Sequence, residues 1–107
     1  MTIEVTARHV RVNAEFQEYA RKRAEGIGEL FPKVEKVHVI LDKQNDYMFS
    51  AEIVVQKKGE TIVGVCLHAE NLRSAVDTSA AKAERQLRNH SKRVKELAIR
   101  GKAAKKA

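Results

Sequence analysis

Cysteine occurs once in the 107 residues, at Cys66, so no disulfide can close within the chain, which accords with a reducing compartment. Tryptophan is absent, proline occurs once and aromatic residues make up 5% of the chain, so any core has to be built mostly from Val, Ile, Leu and Ala. No apolar run approaches the roughly 18 residues of a membrane-crossing helix. The opening Met1-Thr2-Ile3-Glu4 also lacks the basic and then apolar pattern of a secretory signal, and a cytoplasmic location is expected. His9, His38, His68 and His90 are scattered without metal-ligand spacing. Gly26-Ile27-Gly28 falls inside a helical pattern and lacks the Lys-Ser/Thr ending of a phosphate-binding loop. No nucleophile, base and orienting acid stand together in the sequence, so no catalysis, cofactor, metal or small-molecule substrate is expected.

Charge, by contrast, is abundant and unevenly placed. The net charge is +7. Residues 71 to 107 carry eleven Lys or Arg against three acids, whereas residues 1 to 70 carry ten against eleven. A merely solvated surface mixes the two signs, so a basic half points to a polyanion, with nucleic acid first. The length suits one domain of about residues 1 to 100, followed by a mobile basic tail from Gly101 to Ala107.

Periodicity supplies the elements. Thr2 to Ala7 alternates as a half-buried strand. Asn13 is placed to cap a helix whose Phe16, Tyr19, Ala20, Ala24, Ile27, Leu30 and Phe31 recur at three- and four-residue steps until Pro32 stops it. Val37 to Leu41 reads as a second strand, with a turn at Gln44-Asn45-Asp46. Tyr47 to Gln56 reads as a third, with Tyr47, Phe49, Ala51, Ile53 and Val55 on its core side. Lys57 to Glu60 forms a hairpin around Gly59, and Thr61 to Ala69 is the fourth strand. Asn71 then caps a long helix to about residue 99, some 43 Å at 1.5 Å per residue. The fold expected is α+β, in the order β-α-β-β-β-α, with a four-stranded mixed sheet and two helices on one face.

On the last helix Leu72, Val76, Ala83, Leu87, Val94 and Leu97 fall in a narrow apolar stripe. Lys82, Arg85, Arg88, Lys92 and Lys95 take the opposite face, with Arg73 and Arg93 near its edges. This arrangement suits a phosphate backbone, though an ordinary solvated face has the same pattern. Ser79, Ala80 and Ala83 call for close approach to a neighbour. With both Tyr47 and Phe49 assigned to the core side, base stacking is disfavoured and recognition of folded RNA through its backbone is favoured.

Val5-Thr6, Glu52-Ile53-Val54, Ala75-Val76-Asp77 and above all Lys82-Ala83-Glu84-Arg85-Gln86-Leu87 resemble the ribosome hibernation-promoting factor and ribosome-associated inhibitor family over about residues 1 to 95. The resemblance implies a fold related to double-stranded RNA-binding domains. It also implies a translation inhibitor that binds rRNA of the small ribosomal subunit where mRNA and tRNA sit, protecting idle ribosomes in stationary phase and stress. It implies RNA contacts for Arg23, Lys82, Arg85, Gln86 and Arg88; Lys22, Arg73, Lys92, Arg93 and Lys95 join them on charge. The chain departs from the family at Arg73, where Tyr is usual, and at Gly26, where Lys is common. It resembles the short form, for which a separate ribosome modulation factor is a further partner. The competing readings are a general double-stranded RNA-binding module working away from the ribosome, and a protein-interaction domain for an acidic partner.

Overall fold

In the computed structural model the elements follow the order β1 (Thr2–Arg8), α1 (Ala14–Leu30), β2 (Val34–Asn45), β3 (Met48–Lys57), β4 (Glu60–Ala69) and α2 (Leu72–Lys106). The structure describes the side chains of residues 1 to 89, so Lys92, Arg93, Lys95 and the expected tail from Gly101 lie outside the described residues. The sheet order is β1-β2-β3-β4, with β1 parallel to β2 and the other two pairs antiparallel. The α1 crossover requires the parallel pair, while the short connections require the antiparallel ones.

Local chemistry sets most boundaries. The Asn13 side chain accepts a hydrogen bond from the Phe16 amide at 2.8 Å, and Asn71 accepts one from Ser74 at 2.7 Å, so both helices begin where an asparagine satisfies a free amide. Gly59 has φ +79°, the left-handed conformation that its hairpin needs. β2 is longer than its apolar run, because an interior strand paired on both sides carries its polar ends into the ladder. The turn consequently falls at Asp46 and Tyr47. Tyr47 is therefore outside β3 and 85% exposed, correcting its expected place on the core side. Leu30, expected in the apolar stripe of α1, is also exposed, at the helix's last position before Pro32.

Val37, Val39 and Leu41 of β2, Ala51, Ile53 and Val55 of β3, and Ile62 of β4 form the covered side of the sheet. Ala20, Ala24 and Ile27 of α1 and Ala75, Val76, Ala80, Ala83 and Leu87 of α2 close over them. The closest approach is at Gly64. A Cβ built there would lie 2.1 Å from the Ser79 carbonyl oxygen and 2.7 Å from the Ala83 amide nitrogen. The backbone of α2 thus rests directly on β4, which only small residues on both sides permit. Buried Ser79 donates its hydroxyl to the Val76 carbonyl at 3.0 Å, leaving no unsatisfied polar group in this contact. Among the described residues no helix is long and apolar enough to cross a membrane.

Gly64→Ala should destabilise the chain by at least about 1–3 kcal/mol, because backbone is the obstacle and cannot swing aside. Gly26→Ala, where an added Cβ meets nothing within 4 Å inside α1, should stabilise it by about 0.5–1 kcal/mol. Urea denaturation of both variants checks the pair, and equal midpoints would remove the close approach from the account.

Candidate nucleic-acid interface

The seating of α2 on Gly64 divides its polar residues among three directions. Toward the outer edge of the sheet, the Lys82 ammonium donates to the Val65 carbonyl at 2.9 Å and the Gln86 amide donates to the Val63 carbonyl at 2.7 Å. β4 is an edge strand, so these carbonyls face away from β3 and need partners. The spacing explains the match: residues four apart on a helix are neighbours, as are alternate residues on one side of a strand. Lys82 keeps two further N–H donors for an outside ligand.

Toward α1, the residues make a continuous polar seam. Arg23 bonds Glu84 at 2.7 Å and approaches Asp77 at 3.8 Å, while Arg88 reaches the other Glu84 oxygen at 3.8 Å. The Tyr19 hydroxyl donates to Asp77, and the Arg73 guanidinium lies 5.0 Å above the Tyr19 ring. Phe16 packs beside Tyr19 with ring centroids 5.7 Å apart. The hydrogen bond to Asp77, aided by burial, raises the Tyr19 pKa above its ordinary value of 10.0, against the opposing influence of Arg73. Tyr19 pairs with α2 near residues 73 to 77 and Arg23 near 77 to 84, so the two helices run parallel.

The third direction is solvent. Arg85 and Arg88 are exposed there, and Lys82 borders them; Asp77, Thr78, Ala81, Lys82 and Arg85 line a shallow depression along the helix. Ala81, with no more than a methyl group, keeps the depression open beside the cations. Asp77 and Glu84, the only acids between residues 71 and 89, both point their carboxylates at the α1 seam. Apart from half-exposed Asp77 at one end of the depression, the outward surface is left cationic.

Most of the residues selected from the sequence are thus on α2, but they are not equivalent. Lys22 and Arg85 are exposed, Arg73 is exposed but stacked on Tyr19, Lys82 and Gln86 also hold the sheet edge, and Arg23 is enclosed by two carboxylates. Edge bonding by Lys82 and Gln86 went unpredicted, although their four-residue spacing was available. The involvement of Tyr19 and Asp77 also went unpredicted, since nothing local pairs residues 58 positions apart. Among the described residues no group of three or more His, Cys, Asp or Glu could hold a metal ion.

Comparison with known proteins places this geometry. Residues 3 to 95 match the family described as Sigma 54 modulation protein / S30EA ribosomal protein. Two curated proteins of Pseudomonas putida, both called ribosome hibernation promoting factor, are 28% identical over 105 residues, covering 98% of this chain and all of theirs. A ribosomal subunit interface protein from Coxiella burnetii superposes with a TM-score of 0.75 at 22% identity, covering 85% of this chain and 98% of that one. The N-terminal domain of Thermus thermophilus Protein Y gives 0.70 at 20% identity, covering 84% and 99%. The fold is shared with both.

Arg23→Ala should cost about 1–3 kcal/mol, because it leaves the Glu84 carboxylate, 8% exposed, with only the longer contact to Arg88. Chemical denaturation checks this, and an unchanged midpoint would mean that the seam contributes nothing to stability. In a Tyr47→Phe variant the one remaining phenol should ionise above pH 10.0 in an ultraviolet titration. A raised folded-state pKa means that stability from this bond is present at lower pH and lost as pH rises through that pKa. Ionisation at or below the ordinary tyrosine value would contradict the Tyr19–Asp77 bond.

Proposed function

Since the chain belongs to the Sigma 54 modulation protein / S30EA ribosomal protein family, we propose that it is a ribosome hibernation factor acting on the small subunit. It binds rRNA lining the channel for mRNA and tRNA, blocks translation by occupying that space, and protects ribosomes that are idle. The reading draws its ribosomal part from the family match and from the names of the Pseudomonas putida relatives.

The observation that carries the RNA part is the sorting of charge on α2. With Glu84 buried against Arg23 and Asp77 drawn toward it at one end of the depression, a phosphate approaching from outside meets Lys82 and Arg85, with Arg88 held at 3.8 Å from Glu84 beside them. Backbone phosphates are strong acceptors, and arginine offers them a planar pair of donors. Inhibition of this kind needs no bond to be made or broken. Its strength depends on how many phosphates are neutralised, so affinity falls steeply with salt. Release follows from competition by ions or by another ligand of the same channel.

Arg85 is the cleanest probe, because its side chain is outward and takes no part in the edge or the seam. Arg85→Glu should lower affinity for small subunits at least tenfold at low salt, reduce the slope of log affinity against log salt by about 1, and leave the unfolding midpoint unchanged. Co-sedimentation at several salt concentrations, with duplex RNA as competitor, measures this. Unchanged binding would put the contact on another face, and equal displacement by any duplex would favour a general RNA-binding module.

A further inference from the structure

The β2–β3 hairpin ends in an aromatic side chain that the fold does not use. Of the five aromatic residues, Phe16, Tyr19 and Phe31 pack against the core and Phe49 lies beneath the Lys43 ammonium, 5.9 Å from the ring centre. Tyr47 alone projects, 85% exposed, with Met48 beside it also exposed. The projection is held in place. The Asn45 side chain accepts hydrogen bonds from both the Tyr47 and the Met48 amides, at 2.8 and 2.9 Å, and Lys43 reaches Asp46 at 3.5 Å across the turn. A turn tied at both amides spends little conformational entropy on presenting its side chain to a ligand.

The surroundings suggest what that ligand is. Asp46, the residue before Tyr47 in the chain, is engaged by Lys43, and Asp42, three residues before the turn residue Asn45, is engaged by His9 at 3.1 Å. The His9 contact holds the Asp42 carboxyl below its ordinary pKa. Of the acids near the turn, Asp46 is therefore ion-paired and Asp42 hydrogen-bonded. Phe49 pairs with Ala69, and α2 starts at Leu72, so the hairpin stands at the end of the molecule where α2 begins. Arg73 lies there in the first turn, and Arg85 follows about 18 Å further along the helix axis. The exposed aromatic side chain and the start of the basic helix thus lie at the same end of the molecule, a combination that suits stacking of a base together with neutralisation of the strand that carries it.

We propose that Tyr47 is a base-stacking finger: it takes an unpaired RNA base on its ring while the α2 cations hold the neighbouring phosphates. The inference rests on the RNA reading above and adds to it a second contact of different chemistry. Stacking removes no ion from a phosphate, so it adds affinity without adding salt dependence, unlike the contacts of the α2 cations.

The test uses the full chain with purified small ribosomal subunits and, separately, with protein-free small-subunit rRNA. Wild type failing to bind either at low salt would overturn the RNA reading and this proposal together. Where wild type binds, Tyr47→Ala should weaken affinity about tenfold while leaving the salt slope and the unfolding midpoint unchanged, and Tyr47→Phe should keep wild-type affinity. Because the chain has no tryptophan, the Y47W indole is a unique reporter, and its emission should be quenched by subunits and by protein-free rRNA alike. Tyr47→Ala binding as wild type, or Y47W emission unchanged at saturation, overturns the proposal. Emission that responds to subunits but not to protein-free rRNA overturns it too, in favour of a ribosomal protein as the partner.

Discussion

Ser79 and Ala83 lie against Gly64 with backbone touching backbone, and the rest of the functional surface depends on that approach. A larger residue at any of the three positions would lift α2 from the sheet or rotate it about its axis. Lys82 and Gln86 would then lose the Val65 and Val63 carbonyls, and Glu84 would move relative to Arg23. The contact itself buries little apolar area. Its importance is geometric, since it fixes the rotation of the helix and hence which side chains face the edge, the seam and the solvent.

Fixing that rotation sorts charge by sign. The seam between the helices collects the two acids, which are matched by Arg23 and flanked by Arg73 and Arg88. Burying Glu84 and drawing Asp77 toward Arg23 strengthens the field of the outward face without adding a single cation, because each nearby carboxylate would otherwise cancel part of the attraction for a phosphate. Enclosing a carboxylate is unfavourable in itself, and Arg23 offsets that cost only because the helices are held close. Packing, pairing and the cationic face are in this way consequences of one placement.

Much of the fold was legible because it follows from local rules. Asn13 and Asn71 announce helix starts, Gly59 a hairpin, and the alternation of Ile53 and Val55 a half-covered strand. The parallel pairing of β1 and β2 follows from a helix standing between them. The α2 wheel correctly separated Leu72, Val76, Ala83 and Leu87 from the cations. What escaped notice was set by tertiary contact. Gly64 is an unremarked glycine in a strand until the helix above it is placed, and Arg23 is one more basic residue until Glu84 arrives from 61 positions away. Tyr47 was assigned to the core because the apolar alternation of β3 extends backwards through it. The ladder of β2 runs on to Asn45 instead, and the turn turns the aromatic side chain out to solvent.

The most direct examination of the central claim is a structure of the chain bound to the small ribosomal subunit, resolved well enough to place side chains. Lys82, Arg85 and Arg88 should lie within hydrogen-bonding reach of rRNA phosphates, with Arg23 and Glu84 still paired beneath them. A complex in which α2 faces solvent and the uncovered side of the sheet lies on the RNA would contradict it.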